Sequence, residues 1–150
     1  MATNPSGLLP SAKDFMKKIA LAEAEKATEE TRKQSAAEAE KAALIEQLSK
    51  PSGVSDEEGI QRAVRIIERA ASNGLTEVLV YRFPNKLCTD SGRAINQQER
   101  GWENTLTGVP KEIYFLWSKY FKDQGYKLRV QIIDFPGGMP GDVGMTLSWA

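Results

Sequence analysis

Two alternating runs near the end of the chain, Tyr126–Ile132 and Val143–Trp149, constrain the fold more than any other feature. Tyr126, Leu128, Val130 and Ile132 share one face of the first run, and Lys127, Arg129 and Gln131 the other, which is the period of two that a half-buried strand requires. Val143, Met145, Leu147 and Trp149 repeat the pattern against Gly144, Thr146 and Ser148. The connector Phe135-Pro136-Gly137-Gly138-Met139-Pro140-Gly141-Asp142 is longer than an ordinary hairpin loop of roughly two to five residues. Its three glycines and two prolines specify backbone conformation more closely than a linker needs. A C-terminal hairpin with a shaped tip follows.

Helical signals dominate the rest. Residues 1–10 hold Pro5, Gly7 and Pro10 and are predicted flexible. Ser11, with Asp14 three residues on, opens a run rich in Ala, Glu and Lys that reaches Lys50 without Gly or Pro, predicting a long helical arm over 11–50. Its large apolar residues gather at the two ends: Phe15, Met16, Ile19 and Leu21, then Leu44, Ile45 and Leu48. The alanine-rich middle makes a weak coiled-coil seam, so the expectation is an exposed helix with adhesive ends. Phe15, Ile19, Leu44, Ile45 and Leu48 are the arm's candidate interaction residues.

The linker 51–54, Pro51-Ser52-Gly53-Val54, separates the arm from a predicted α+β domain over 55–150. Ser55 and Glu58 form a capping box before the stripe Ile60, Ala63, Val64, Ile67, Ala70 and Ala71, which stops at Asn73-Gly74. Thr76–Phe83 has apolar residues on both faces and reads as an interior strand. A short helix at 93–100 follows, then a stronger one from Pro110 to Gln124 with Ile113, Leu116, Trp117, Tyr120 and Phe121 on one side. Strand, helical connection and strand predict a β-α-β unit with parallel strands, to which the hairpin adds an antiparallel return. The expected architecture is a small two-layer sandwich: a three-stranded mixed sheet with helices on one face.

Parallel strands end on a common rim, which becomes the default ligand site. Arg82, Cys88, Asp90, Arg93, Trp102, Asp134, Gly137, Gly138, Met139 and Asp142 are its candidate binding residues. Against any specific chemistry, the glycine cluster lacks the Gly-Lys-Ser/Thr ending of a phosphate loop. With one cysteine and no histidine, disulfide frameworks, zinc-finger ligand sets and Cys–His catalysis are excluded. No catalytic residue, metal ligand or cofactor is assigned.

Charge excludes little but ranks a great deal. The 20 basic and 20 acidic residues balance overall and along the chain, unlike proteins that bind chiefly by neutralising phosphates. Nucleic acid is therefore the weakest reading, resting on Arg62, Arg65, Arg69, Lys127 and Arg129. With no leader-like or membrane-length apolar run, the expectation is a soluble cytoplasmic protein. The leading expectation is a non-enzymatic protein-interaction or scaffold module that pairs with a protein partner or with itself, through the arm or a sheet edge. A small-ligand or anion-binding protein using the rim, with enzymatic activity left open, is the alternative.

Overall fold

The computed structural model describes residues 5–150; of the predicted flexible segment, residues 1–4 lie outside them. The chain forms two compact units, one running to Ala43 and the other comprising Leu44–Ala150. Among the described residues no helix is long and apolar enough to cross a membrane.

Helix α1, Ala12–Ser49, is unbroken over 38 residues. Ser11 Oγ accepts the Asp14 N–H at 3.1 Å, as the capping pattern predicts. Local forces hold the first unit's helix: the propensity of Ala, Glu and Lys, and the Glu29–Arg32 pair at 2.6 Å. Phe15, Met16, Ile19 and Leu21 are all exposed. The last turns of α1 belong to the second unit, where Ile45 and Leu48 pack against the main core cluster. Gly108 makes that docking feasible: its φ is +60°, and a Cβ there would strike the Leu48 carbonyl and lie 2.7 Å from Ser49 Cα.

Helix α2, Asp56–Ser72, begins at Ser55, whose Oγ accepts the Glu58 N–H at 3.2 Å, and carries Asp56, Glu57 and Glu58 in its first turn. Strand β1 is Glu77–Phe83, β2 is Lys127–Ile132 and β3 is Val143–Ser148. Between β1 and β2 lie a single helical turn, α3 (Arg93–Asn96), and α4 (Gly108–Leu116), which continues as a π-helical turn over Trp117–Phe121.

The α+β architecture holds, with a correction to the sheet. Its order is β1-β3-β2 and both pairings are antiparallel, so the sheet is not mixed and β1 is an edge strand rather than an interior one. β1 and β2 do run the same way, but β3 lies between them. Charge explains the order. β3 presents only Gly144, Thr146 and Ser148 opposite its apolar residues, whereas β1 carries Glu77 and Arg82, and β2 carries Lys127, Arg129 and Gln131. An uncharged strand suits the centre, while charged strands tolerate and protect edges.

Register places Val78, Leu147 and Leu128 side by side, then Tyr81, Met145 and Val130, then Phe83, Val143 and Ile132. These residues form the face covered by helices and loops, where Phe83, Val143, Met145, Leu87, Leu106 and Ile95 make the main core. Ile67 of α2, Phe121 and Leu147 form a second cluster. On the open face Glu77 and Arg129 pair at 3.0 Å across β3. A bulge at Val80 shifts register between Leu79 and Tyr81.

Candidate functional site

The predicted rim exists as a meeting of loops. Asn85 Nδ2 donates to the Pro140 and Gly141 carbonyls at 2.8 and 3.0 Å, tying the loop after β1 to the hairpin tip. The same loop is stitched to the segment before α4: the Thr89 N–H donates to Thr105 O at 2.8 Å, Cys88 bridges to Leu106, and Thr107 Oγ1 donates to Leu87 O.

At its centre, Arg82 Nε lies 2.8 Å from Asp142 Oδ2 and a terminal guanidinium nitrogen lies 3.1 Å from Asp134 Oδ2. The bond to Asp142 raises the Arg82 pKa above its ordinary value. Asp134 Oδ1 also accepts the Asp142 N–H at 2.6 Å, and the Gly141 N–H donates to Asp134 O at 2.9 Å. All three side chains are engaged in closing the hairpin tip. Gly137, Gly138 and Met139 sit in that tip, with Phe135 and Met139 54% and 68% exposed.

Other predicted rim residues have different partners. Asp90 is a helix cap, accepting the Gly92 and Ala94 N–H groups at 3.0 and 2.9 Å. Arg93 pairs with Glu99 at 2.7 Å. Trp102 is half-buried, with its ring edge-on to Tyr114 at 5.6 Å. Cys88 is buried in the main core. Burial pushes its thiol up to about 11, Asp90 adding to the shift and a hydrogen bond to Thr105 opposing it, so the reactive thiolate is disfavoured. Among the described residues, no group of three or more cysteines or carboxylates is arranged to hold a metal ion.

Concavity lies elsewhere. On the helical face, α2 and α4 flank a cleft of about 600 Å³ whose floor is the sheet. Val80, Tyr81, Leu128 and Leu147 form the floor; Gly59, Ala63 and Ile66 form one wall; Ile113, Leu116 and Trp117 form the other. The two helices are in close approach at Gly59, where an added Cβ would lie 3.0 Å from Leu116 Cδ2. The π-helical turn widens the α4 wall, setting Trp117 and Phe121 into the same cleft, and Trp117 Nε1 donates to Tyr126 O at 2.9 Å.

Polar groups at the mouth pair with one another. Ser52 donates to both carboxylate oxygens of Glu112 through its N–H and hydroxyl, at 3.1 and 2.6 Å. Asp56 accepts the Tyr120 hydroxyl at 2.9 Å and lies 3.7 Å from Lys119, and Arg62 bonds Glu58 at 2.8 Å. The interior that remains is apolar and aromatic. Burial raises the Tyr81 pKa above its ordinary value, keeping a neutral phenol in the floor. A ligand here meets shape and apolar surface rather than an array of catalytic groups.

The helical patterning places Ile113, Leu116, Trp117 and Phe121 on one apolar face and Ala63 in the α2 stripe, and gives Gly59 no role. The available signal was Gly59, a small residue early in a helix whose remaining stripe is larger, which permits close approach of a second helix.

The basic residues of the nucleic-acid reading do not form one patch. Arg62, Arg65 and Arg69 lie on α2, which covers one face of the sheet, whereas Lys127 and Arg129 project from the other. No protein-family model, curated protein or solved structure matches the chain.

Proposed function

We propose that the protein is a non-enzymatic interaction module whose docking site is the α2/α4 cleft. One observation carries this reading: an open apolar cleft of about 600 Å³ shared by two helices and the sheet, with its charged residues confined to the mouth. Such a groove suits the apolar face of an amphipathic helix, in which side chains one turn apart enter together. Phe115, 56% exposed beside it, adds an aromatic anchor of the kind that dominates binding energy.

The rim offers less to a ligand. Arg82, Asp134, Asp142, Asp90 and Arg93 each satisfy groups within the chain, so an anion there would displace existing bonds rather than fill vacant ones. A buried free thiol suits a reducing compartment such as the cytoplasm.

The test is selection of displayed random peptides on the immobilised full chain. Enriched sequences are expected to place apolar residues at helical spacing and to lose at least tenfold in affinity against Ala63→Glu, and against Phe115→Glu, which changes an exposed side chain. Absence of enrichment, or binders indifferent to both substitutions in chains that melt normally, overturns the reading.

A further inference from the structure

The first turns of α1 carry an apolar face with a definite orientation. At about 100° per residue, Ala12, Phe15, Met16, Ile19 and Ala22 fall within roughly a third of the helix circumference. Glu23 and Lys26 come round on that same side and end the face after about three turns. Phe15, Met16 and Ile19 are exposed, and so are Leu8 and Leu9 just ahead of the helix. Leu21 is exposed too, but it lies on the other side of the helix and belongs to no face.

Lysines are arranged around this face rather than on it. Lys13 and Lys18 border its two sides and Lys17 lies opposite. Lys18 Nζ is 5.9 Å from the centre of the Phe15 ring, so its stem runs beside the apolar residues. An ammonium carried on a long stem at the edge of an apolar face can stay at the polar level of an interface while the face sinks below it. The charge is also local: residues 1–22 hold three of the chain's 20 basic residues and, in Asp14, one of its 20 acidic ones.

A protein groove is the poorer match for such a segment. A dimeric coiled coil needs large apolar residues at heptad spacing along its length, and between Leu21 and Leu44 the helix offers alanine alone. Leu8 and Leu9 precede the helix and fall outside its period, so a partner would have to fit an irregular segment and a helical ridge together. A fluid surface imposes no register.

We propose that the N-terminal turns of α1 are an interfacial anchor for an anionic lipid surface. Leu8, Leu9, Phe15, Met16 and Ile19 enter the boundary between headgroups and acyl chains, and the three lysines meet lipid phosphates. The helix lies along the surface without crossing it, in keeping with the lack of a membrane-length helix among the described residues. The face is small, so attachment is reversible and needs the apolar and the electrostatic contribution together.

Flotation of the full chain with lipid vesicles tests this. The chain should float with vesicles of equal parts phosphatidylcholine and phosphatidylglycerol, and stay behind with phosphatidylcholine alone. Phe15→Gln should weaken binding roughly tenfold or more, the loss of one inserted aromatic side chain. Leu21→Gln, on the other side of the helix, should leave binding within about twofold of the parent. Replacing Lys13, Lys17 and Lys18 together by Gln should weaken it by roughly a hundredfold, and raised salt should weaken the parent likewise. All these side chains are exposed, so the variants should melt with the parent. Absence of flotation with the anionic vesicles overturns the proposal. So does flotation that Phe15→Gln and Leu21→Gln reduce equally, because the apolar face would then not be what inserts. A light-scattering mass of two chains or more that falls to one in Phe15→Gln, with no vesicle binding by the parent, overturns it in favour of a second copy of the chain. None of these measurements depends on the cleft.

Discussion

Arg82 and Asp142 lie 60 residues apart in the chain, yet the guanidinium Nε is 2.8 Å from the carboxylate Oδ2. Asp134, 3.1 Å from the same guanidinium, adds an acceptor for the Asp142 N–H. The hairpin tip is thereby closed by one carboxylate that serves a backbone amide and an arginine together. Asp134→Ala removes both bonds and should cost roughly 1–2 kcal/mol in urea unfolding. Asp134→Asn keeps an oxygen for the amide but removes the charge facing Arg82, and should cost less. Equal losses would mean that the ion pair, not the turn amide, holds the tip.

Burial of Cys88 makes a pH prediction with a definite sign. Its folded pKa, about 11, lies above that of an unfolded thiol, roughly 8.5. The stability tied to the protonated thiol is complete below the unfolded value. As pH rises between the two values the unfolded chain loses its proton first, so stability falls across that window. Urea midpoints for the parent and Cys88→Ala, measured on either side of the window, should fall more steeply in the parent than in the variant, which keeps the smaller decline from the half-buried Tyr81 phenol. Maleimide labelling of the native protein near neutral pH should be slow and should accelerate in denaturant; fast native labelling would contradict the buried, protonated thiol.

Much of this fold was legible because it is local. Ser11 and Ser55 cap where their spacing to Asp14 and Glu58 predicts, and the alternation through Leu128, Val130, Met145 and Leu147 marks the buried sheet face. Strand order was carried by a subtler signal, the absence of charge on Val143–Ser148 beside the charged Glu77–Phe83 and Lys127–Ile132. A preference for pairing strands through the helical crossover masked that signal. The rim loops meet as the topology implies, but whether Arg82 or Asp134 faces solvent or a neighbour depends on side-chain geometry that spacing does not encode. The cleft was illegible for a deeper reason: its volume depends on how far α2 stands from α4, and on the π-helical turn at Trp117, both of which are set by packing.

Gly108 and Gly74 separate two costs of replacing glycine. Both have positive φ, +60° and +79°, but only Gly108 faces backbone, with Ser49 Cα 2.7 Å from a built Cβ; Gly74 has nothing within 4 Å. Gly74→Ala should cost about 1–2 kcal/mol, the conformational part alone. Gly108→Ala adds a clash with the last turn of α1 that backbone cannot easily relieve, for a total above about 2 kcal/mol. Proteolysis within residues 44–49 should also quicken in Gly108→Ala and not in Gly74→Ala. If the two variants melt alike, the Leu48–Gly108 approach contributes nothing to stability.

Gly59 presents the opposite case, in which adding a methyl group is expected to help. It sits inside α2, where glycine is about 1 kcal/mol less favourable than alanine, and its φ is not in the left-handed region. The obstacle to a Cβ is Leu116 Cδ2 at 3.0 Å, the end of a side chain that lines the cleft and has open space into which to turn. Relief by rotating one leucine should cost less than the helical gain, so Gly59→Ala should raise the urea midpoint, by roughly 0.5 kcal/mol in stability, with the denaturant slope unchanged. The rotated leucine also occupies part of the cleft, so the same variant should bind selected peptides more weakly despite its greater stability. Improved stability with undiminished binding would place the peptides outside the Gly59–Leu116 junction. A loss of stability would show that Leu116 is pinned and that the cleft is closed to side-chain movement beside Gly59.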